Sequence, residues 1–244
     1  MSGGIDYPPS YYAASANPAP ARPALDGEAE ADVCVIGAGY SGLSAGIELA
    51  ERGYRVVVLE SARVGWGASG RNGGQIVNGL NAGLDRIEAR YGRDTADFVG
   101  SVVKEGNHII RERVARYRIA CDLKDGQIFA AFTAKQMREL EARQVLWRRY
   151  GHDDFELLDR DGIRRHVACD LYTGGMLDRS GGHMHPLNLA LGEAAALESL
   201  GGRIHEGSAV TAVEEQGGGV IVRTGRGAVR ARAAIVCGNA YLGR

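Results

Sequence analysis

The chain has 244 residues, 45% hydrophobic and 24% charged, with a formal net charge of −1. That balance excludes a basic field for nucleic acid or an acidic membrane surface, and no apolar run approaches the ~20 residues that span a bilayer. The length allows one large domain or two intertwined ones around an ample core.

The start lacks the basic and apolar regions of a secretory leader, so a cytoplasmic location is expected. Residues 7–30 are rich in proline and alanine, with Tyr7, Tyr11 and Tyr12 near the beginning and Asp26, Glu28 and Glu30 at the end. This pattern predicts an N-terminal arm over residues 1–30, docked on the surface and ending in an acidic linker.

Val33, Cys34, Val35 and Ile36 form a continuous apolar run, as in a strand buried on both faces of a parallel sheet. Gly37-Ala38-Gly39-Tyr40-Ser41-Gly42 follows: the first glycine for a tight turn, the second for backbone approach to a pyrophosphate, the third for close helix packing. The helix continues through Leu43, Ile47 and Leu49 and ends at Gly53. Its N-terminus offers free N–H groups and a favourable dipole to an anion. Val56, Val57, Val58 and Leu59 predict a second buried strand, and Glu60 at its end, with Ser61 beside it, can accept hydrogen bonds from a ribose. This fingerprint does not separate FAD from NAD. Arg63 could meet a 2′-phosphate, but its place in the sequence suits a solvated loop better.

Gly65-Trp66-Gly67-Ala68-Ser69-Gly70-Arg71-Asn72-Gly73-Gly74-Gln75 is too glycine-rich for a regular helix or strand. It reads as a surface loop or, from its place after the ribose-binding acid, as a backbone cradle for the cofactor. Phe98, Val102, Ile109 and Val114 predict a long amphipathic helix over 94–117. A hairpin turning at Asp125-Gly126 is expected over 121–133. A helix over 134–150 follows, with Arg148 and Arg149 on a solvated face, then a strand at 155–158 and a short helix from Asp159.

Asp178 to Pro186 reads as a third irregular loop. Its His183 and His185 have no evident third partner for a metal, so no metal site is expected. They bond local backbone before a helix starting at Pro186, or line a substrate cavity. Strands are expected at 203–205, 209–213, 220–223, 229–231 and, buried, 233–237. Val210 and Gly238-Asn239 fall where such folds meet the cofactor again. Cys34, Cys121, Cys169 and Cys237 are scattered, and the first and last lie in apolar strands, which predicts buried free thiols and a reducing compartment.

The segments Ser10-Tyr11-Tyr12-Ala13-Ala14-Ser15, Gly67 to Gln75, Ile110-Arg111-Glu112-Arg113, Ser180 to Ala190 and Gly238-Asn239-Ala240-Tyr241-Leu242-Gly243 resemble those of flavin amine oxidases in the D-amino-acid oxidase and sarcosine oxidase superfamily. The resemblance implies an α/β fold: a Rossmann-like FAD-binding domain with an interleaved α+β substrate domain, truncated at its C-terminus. Residues 31–120 and 185–244 would form the former and 121–184 part of the latter. It implies FAD, with its pyrophosphate on Gly37, Ala38, Gly39, Tyr40, Ser41 and Gly42, its ribose on Glu60, and its isoalloxazine side against Ser69, Gly70, Arg71, Asn72, Gly73 and Gly74.

The implied reaction oxidises a small-molecule amine to an imine, which water converts to an aldehyde and ammonia, with oxygen as electron acceptor and peroxide as product. An acylated diamine, or an amine of glycine or sarcosine type, is the implied substrate. No nucleic acid or membrane partner is expected, and no general base is named. Family chains are longer, with a later glycine-rich cofactor contact. The expectation is therefore a fragment or truncated product that alone binds FAD weakly and turns over poorly, or a non-catalytic FAD-binding module.

Overall fold

The computed structural model describes residues 5–80 and 82–241, so Leu242 and Gly243 of the last motif lie outside the described residues. The elements in chain order are α1 (Tyr11–Ala14), β1 (Gly27–Glu30), β2 (Val33–Ile36), α2 (Tyr40–Glu51), β3 (Val56–Leu59), a 3-10 turn (Ala68–Gly70), β4 (Gln75–Ile76), α3 (Leu84–Tyr91) and α4 (Arg93–Arg116). They continue with β5 (Lys124–Ala131), α5 (Ala134–Arg149), β6 (Phe155–Leu158), α6 (Arg160–Arg164), β7 (Gly174–His183) and α7 (Pro186–Ser199). The rest is β8 (Arg203–His205), β9 (Val210–Gln216), β10 (Gly219–Thr224), β11 (Gly227–Ala231), β12 (Ala233–Val236) and a second 3-10 turn (Asn239–Tyr241).

The chain divides into two compact units: Met1–Gly73, Arg113–Cys121 and His185–Arg244 in the first, Gly74–Glu112 and Asp122–Met184 in the second. Residues 74–112 fall in the second because β4 pairs with β7, and Leu84 and Ala96 are buried with Trp147, Phe155 and Met176.

In the first unit a parallel sheet runs in the order β12-β2-β3-β8, and a second sheet in the order β1-β11-β10-β9. β2 and β3 are apolar throughout because both faces are covered. Val33, Val35, Val56 and Val58 pack with Leu43 and Ile47 of α2 and with Leu187 and Leu197 of α7. Cys34, Val57 and Leu59 face the other way, onto Val222 and Val229 of the second sheet. The acidic segment expected as a linker is instead strand β1, parallel to β11, where Glu28 pairs with Arg230 at 3.3 Å. β12, expected to be buried, is a sheet edge with Val236 55% exposed, since among the described strands only β2 flanks it.

The second unit is an antiparallel sheet built on β7, which pairs with β5, β6 and β4. Two expectations change here. Gly126 does not turn a hairpin. It sits at φ +88 where the β5 register shifts between Asp125 and Gln127, so its positive φ serves a bulge within one continuous strand. The expected loop from Asp178 is the second half of β7. Its glycines suit a strand with crowded neighbours: a Cβ at Gly182 would overlap the Lys124 carbonyl oxygen. Helix α4 matches its expected span, but in this unit Ala96 and Gly100 form its buried face while Phe98 and Val102 are exposed.

The first unit buries an ionisable cluster. Arg113, the first residue of its 113–121 segment, donates to the Ser44 hydroxyl at 2.6 Å and lies 3.6 Å from Glu48 and 3.8 Å from Glu193. Glu193 on α7 is 4% exposed, and its Oε2 has no hydrogen-bond partner among the described residues. Burial lifts its carboxyl from near 4.5 to about 7, against the pull of Arg113. The folded state therefore holds a proton that the unfolded chain has lost. Stability falls as pH rises between about 4.5 and 7, with a cost on the order of 3 kcal/mol complete above that window. Thermal melts from pH 5 to 8 should show this decline, and Glu193→Gln should flatten it.

Candidate cofactor site

The site grows from the β2–α2 turn. Gly37 adopts φ +107, and a Cβ there would stand 2.7 Å from the Cys237 carbonyl oxygen, so the turn can lie against the end of β12 only as glycine. A Cβ at Gly42 would overlap the Gly37 carbonyl oxygen, which fixes how closely α2 seats on β2. Gly39 meets a different neighbour from the one expected. Its open side faces the Ser69 hydroxyl, 2.9 Å from a hypothetical Cβ, and the same hydroxyl accepts the Tyr40 N–H at 3.0 Å. A residue from the glycine-rich loop thus caps α2, whose own N-cap, Gly39, has no side chain to do so. The N–H groups of Gly39 and Ser41 have no hydrogen-bond partner among the described residues, so both are free to meet an anion.

Glu60 closes the turn from the other strand. Its Oε2 accepts the Ala38 N–H at 2.7 Å, and its Oε1 accepts the Ala62 N–H at 2.9 Å and the Ser61 hydroxyl at 3.2 Å. These three bonds leave about one acceptor site of the carboxylate, on Oε2, for a further donor.

A cavity of about 640 Å³ lies over this turn. Ten of the expected residues line it: Gly37, Gly39, Tyr40, Ser41, Glu60, Ser61, Ser69, Val210, Gly238 and Asn239. Ala38 and Gly42 lie behind the lining and hold the turn in shape. Gly70 is buried, and a Cβ there would overlap the Gly65 carbonyl oxygen. Asn72 donates to the Ala68 and Ser69 carbonyls, and Arg71 donates to the Gly67 carbonyl and the Tyr241 hydroxyl. Gly73 is exposed and outside the lining; Gly74 belongs to the second unit, where its carbonyl accepts the Met184 N–H.

His183 is exposed on β7 of the second unit. His185 caps α7: its Nδ1 accepts the Asn188 N–H at 3.1 Å, and its Nε2 lies 3.1 Å from the Ser15 hydroxyl. That local-backbone role is one of the two readings its sequence allowed. Neither histidine lines the cavity.

Sequence reasoning missed Trp66, Thr211, Cys237 and Tyr241, all in the lining. Trp66 and Tyr241 stand within segments already singled out, and a large aromatic amid glycines was the available signal. Cys237, expected to be fully buried, is half-buried at the end of β12. Arg63 does not reach the cavity. Its guanidinium lies 4.7 Å over the Tyr7 ring and pairs with Asp6 and Glu206.

The residues fit a neutral-ribose dinucleotide. Free N–H groups at a helix N-terminus suit a pyrophosphate, Glu60 suits ribose hydroxyls, and Ile36, Leu59, Val210 and Ala212 give apolar walls. Among the described lining residues there is no lysine, arginine or histidine to balance a 2′-phosphate beside Glu60.

The sequence profile of the DAO family, FAD-dependent oxidoreductases, matches residues 32–244. The chain belongs to this family. It is 54% identical over 234 residues to gamma-glutamylputrescine oxidoreductase of Escherichia coli (strain K12), covering 96% of this chain and 55% of that protein. It is 42% identical to a probable oxidoreductase OrdL of Haemophilus influenzae, covering 96% of this chain and 54% of that protein. The chain thus spans about half the length of the curated relatives it matches. Among solved structures it shares the fold of an L-amino acid deaminase from Proteus myxofaciens, with a TM-score of 0.75, 20% identity and coverage of 93% of this chain and 49% of that one. Glycine oxidase from Geobacillus kaustophilus gives a TM-score of 0.65 at 23% identity, over 86% of this chain and 55% of that one. FAD is the family's cofactor, and the free N–H donors and the acid of the cavity fit it.

Replacing Glu60 with alanine strips an acceptor from the Ala38 and Ala62 N–H groups. An unsatisfied buried amide costs about 1–3 kcal/mol whether or not FAD is bound, so Glu60→Ala should lower the melting temperature of the apoprotein by several degrees in a thermal scan.

Proposed function

We propose that this chain carries the FAD-binding part of an amine oxidase acting on gamma-glutamylputrescine. The observation that carries the reading is the cavity over the N-terminus of α2, closed by Glu60, in a chain 54% identical to an Escherichia coli protein named for that substrate. The N–H groups of Gly39 and Ser41 would hold the pyrophosphate, with Gly37, Ala38, Tyr40 and Gly42 shaping the turn. Glu60 and Ser61 would hold the adenosine ribose, with Val210 near the adenine. Ser69 to Gly73, Gly238 and Asn239 would border the isoalloxazine side.

FAD held by these residues would supply the two-electron acceptor for the carbon bearing the amine, with oxygen as the final acceptor in this reading. In balance, the primary amine, oxygen and one water give gamma-glutamyl-aminobutyraldehyde, ammonia and hydrogen peroxide. Residues 121–184 belong, in this reading, to the substrate domain. His183, exposed on its strand, is the candidate for contact with the amine, while His185 serves the helix cap. Cys34 and Cys237, neither in a disulfide, support a cytoplasmic, reducing setting in this reading.

An anaerobic visible spectrum of the full-length protein, before and after gamma-glutamylputrescine, tests the proposal. Bleaching of the flavin bands is the expected outcome. Flavin that bleaches only with glycine or sarcosine would move the substrate to that class. Flavin that no amine bleaches would leave a binding module without this chemistry.

A further inference from the structure

Residues 5–25 lend no side chain to the cavity lining, yet they hold its wall from behind. The Tyr7 hydroxyl donates to the Val64 carbonyl oxygen at 2.7 Å, and the Asp6 carbonyl accepts the indole N–H of Trp66 at 2.9 Å. Val64 is fully buried and Trp66 faces the cavity. The Val64 N–H is held as well: it donates to Glu206 Oε1 at 2.9 Å, and Arg22 lies 3.8 Å from that same oxygen. Arg22 is itself buried and forms two hydrogen bonds to the Glu198 carboxylate, at 2.7 and 2.8 Å. Both backbone polar groups of Val64 are therefore fixed by the segment, one directly and one through a single carboxylate.

The remaining bonds extend the same pattern. Arg63 lies across the Tyr7 ring and 3.6 Å from the Asp6 carboxylate. Burial pushes the Tyr7 phenol up to about 12, so it remains a donor at neutral pH. Further along, Ser15 meets His185, and the Asn17 N–H donates to the Asn188 side chain at 2.7 Å, tying the segment to the first turn of α7. That turn carries Leu187, which packs against Gly65 and Gly70 of the glycine-rich loop. On the cavity side Trp66 meets the edge of Tyr241 and lies under the Arg71 guanidinium, 4.7 Å from its ring centre.

We propose that residues 5–25 are a strap that retains the cofactor: by fixing Val64 and Trp66 from outside the cavity, they hold the wall against which FAD rests. The inference rests on reading the cavity as the FAD site. Tyr7 and Trp66 are positioning residues in it. Their contribution is preorganisation, since a wall already ordered costs FAD less to bind.

The test titrates the full-length apoprotein with FAD, follows flavin release after dilution, and records apoprotein melting separately. Tyr7→Phe removes one hydroxyl and Trp66→Phe removes the indole donor. Each should raise the FAD dissociation constant about tenfold, mainly through faster release, while the apoprotein melts within a few degrees of wild type. Dissociation constants within twofold of wild type for both variants would overturn the strap. Limited proteolysis of the unaltered protein gives a second readout that needs no variant. Saturating FAD should slow cleavage within residues 5–25 several-fold, and equal rates with and without FAD would count against the proposal. A wild-type protein that binds no FAD would instead sink the reading of the cavity, and the strap with it.

Discussion

The Gly37 carbonyl oxygen lies where a side chain at residue 42 would have to begin, and much of the first unit follows from that contact. It draws the first turn of α2 onto the end of β2, so the helix leaves the sheet at one fixed inclination. Leu43 and Ile47 are thereby placed among Val35, Val58 and Leu197. The same seating points the free N–H groups of the helix into the cavity instead of into the core. A larger residue at 42 would move the helix and its dipole together, so packing and anion binding are one constraint here.

The cavity of the first unit has no cationic side chain in its described lining. Two of that unit's cations, Arg22 and Arg113, are buried and paired elsewhere. Arg22 neutralises Glu198 and approaches Glu206, and Arg113 stands among Glu48, Glu193 and the Ser44 hydroxyl. A buried ion pair stabilises little on average, but removing one partner strands the other in low dielectric. Such pairs serve to fix which segments meet. The second unit differs: Asp178 is fully buried, forms no salt bridge among the described residues, and accepts from the Asn78 side chain, the Ser180 N–H and hydroxyl, and the Gly181 N–H. Hydrogen-bond donors stand where the first unit uses a cation.

What the sequence made legible is what short-range patterning controls. β2, the glycine turn, α2, β3 and Glu60 lie within thirty residues, and each obeys a local rule of period, turn or cap. The β10–β11 hairpin was readable for the same reason. The acidic segment at 27–30 was not, because its strand character comes from pairing with Gly227 to Arg230, about two hundred residues away. Gly126 misled because a positive φ suits a hairpin turn and a bulge equally. The second half of β7 misled because Ser180, Gly181 and Gly182 are poor strand formers held by main-chain pairing to β5. In the cavity, the backbone contributors were foreseen and the aromatic walls were not, since Trp66 and Tyr241 meet only through tertiary packing.

Two of the segments that carried the family resemblance most specifically show why a motif need not mark chemistry. Ser10 caps α1 by accepting the Ala13 N–H, Tyr12 sets its ring edge-on to His185 at 5.1 Å, and Ser15 and Asn17 bond to His185 and Asn188. The tyrosine-rich segment and the histidine-rich one are therefore two halves of one contact. Both ring nitrogens of His185 are engaged, one by a helix N–H and one by a hydroxyl, which leaves that ring without a lone pair or proton to spare for a reacting amine. A residue pattern fixed by such mutual bonding is as demanding as one fixed by catalysis, because each partner fails without the other. Its bearing on the cavity is indirect: it holds the first turn of α7, and α7 holds the loop that caps α2.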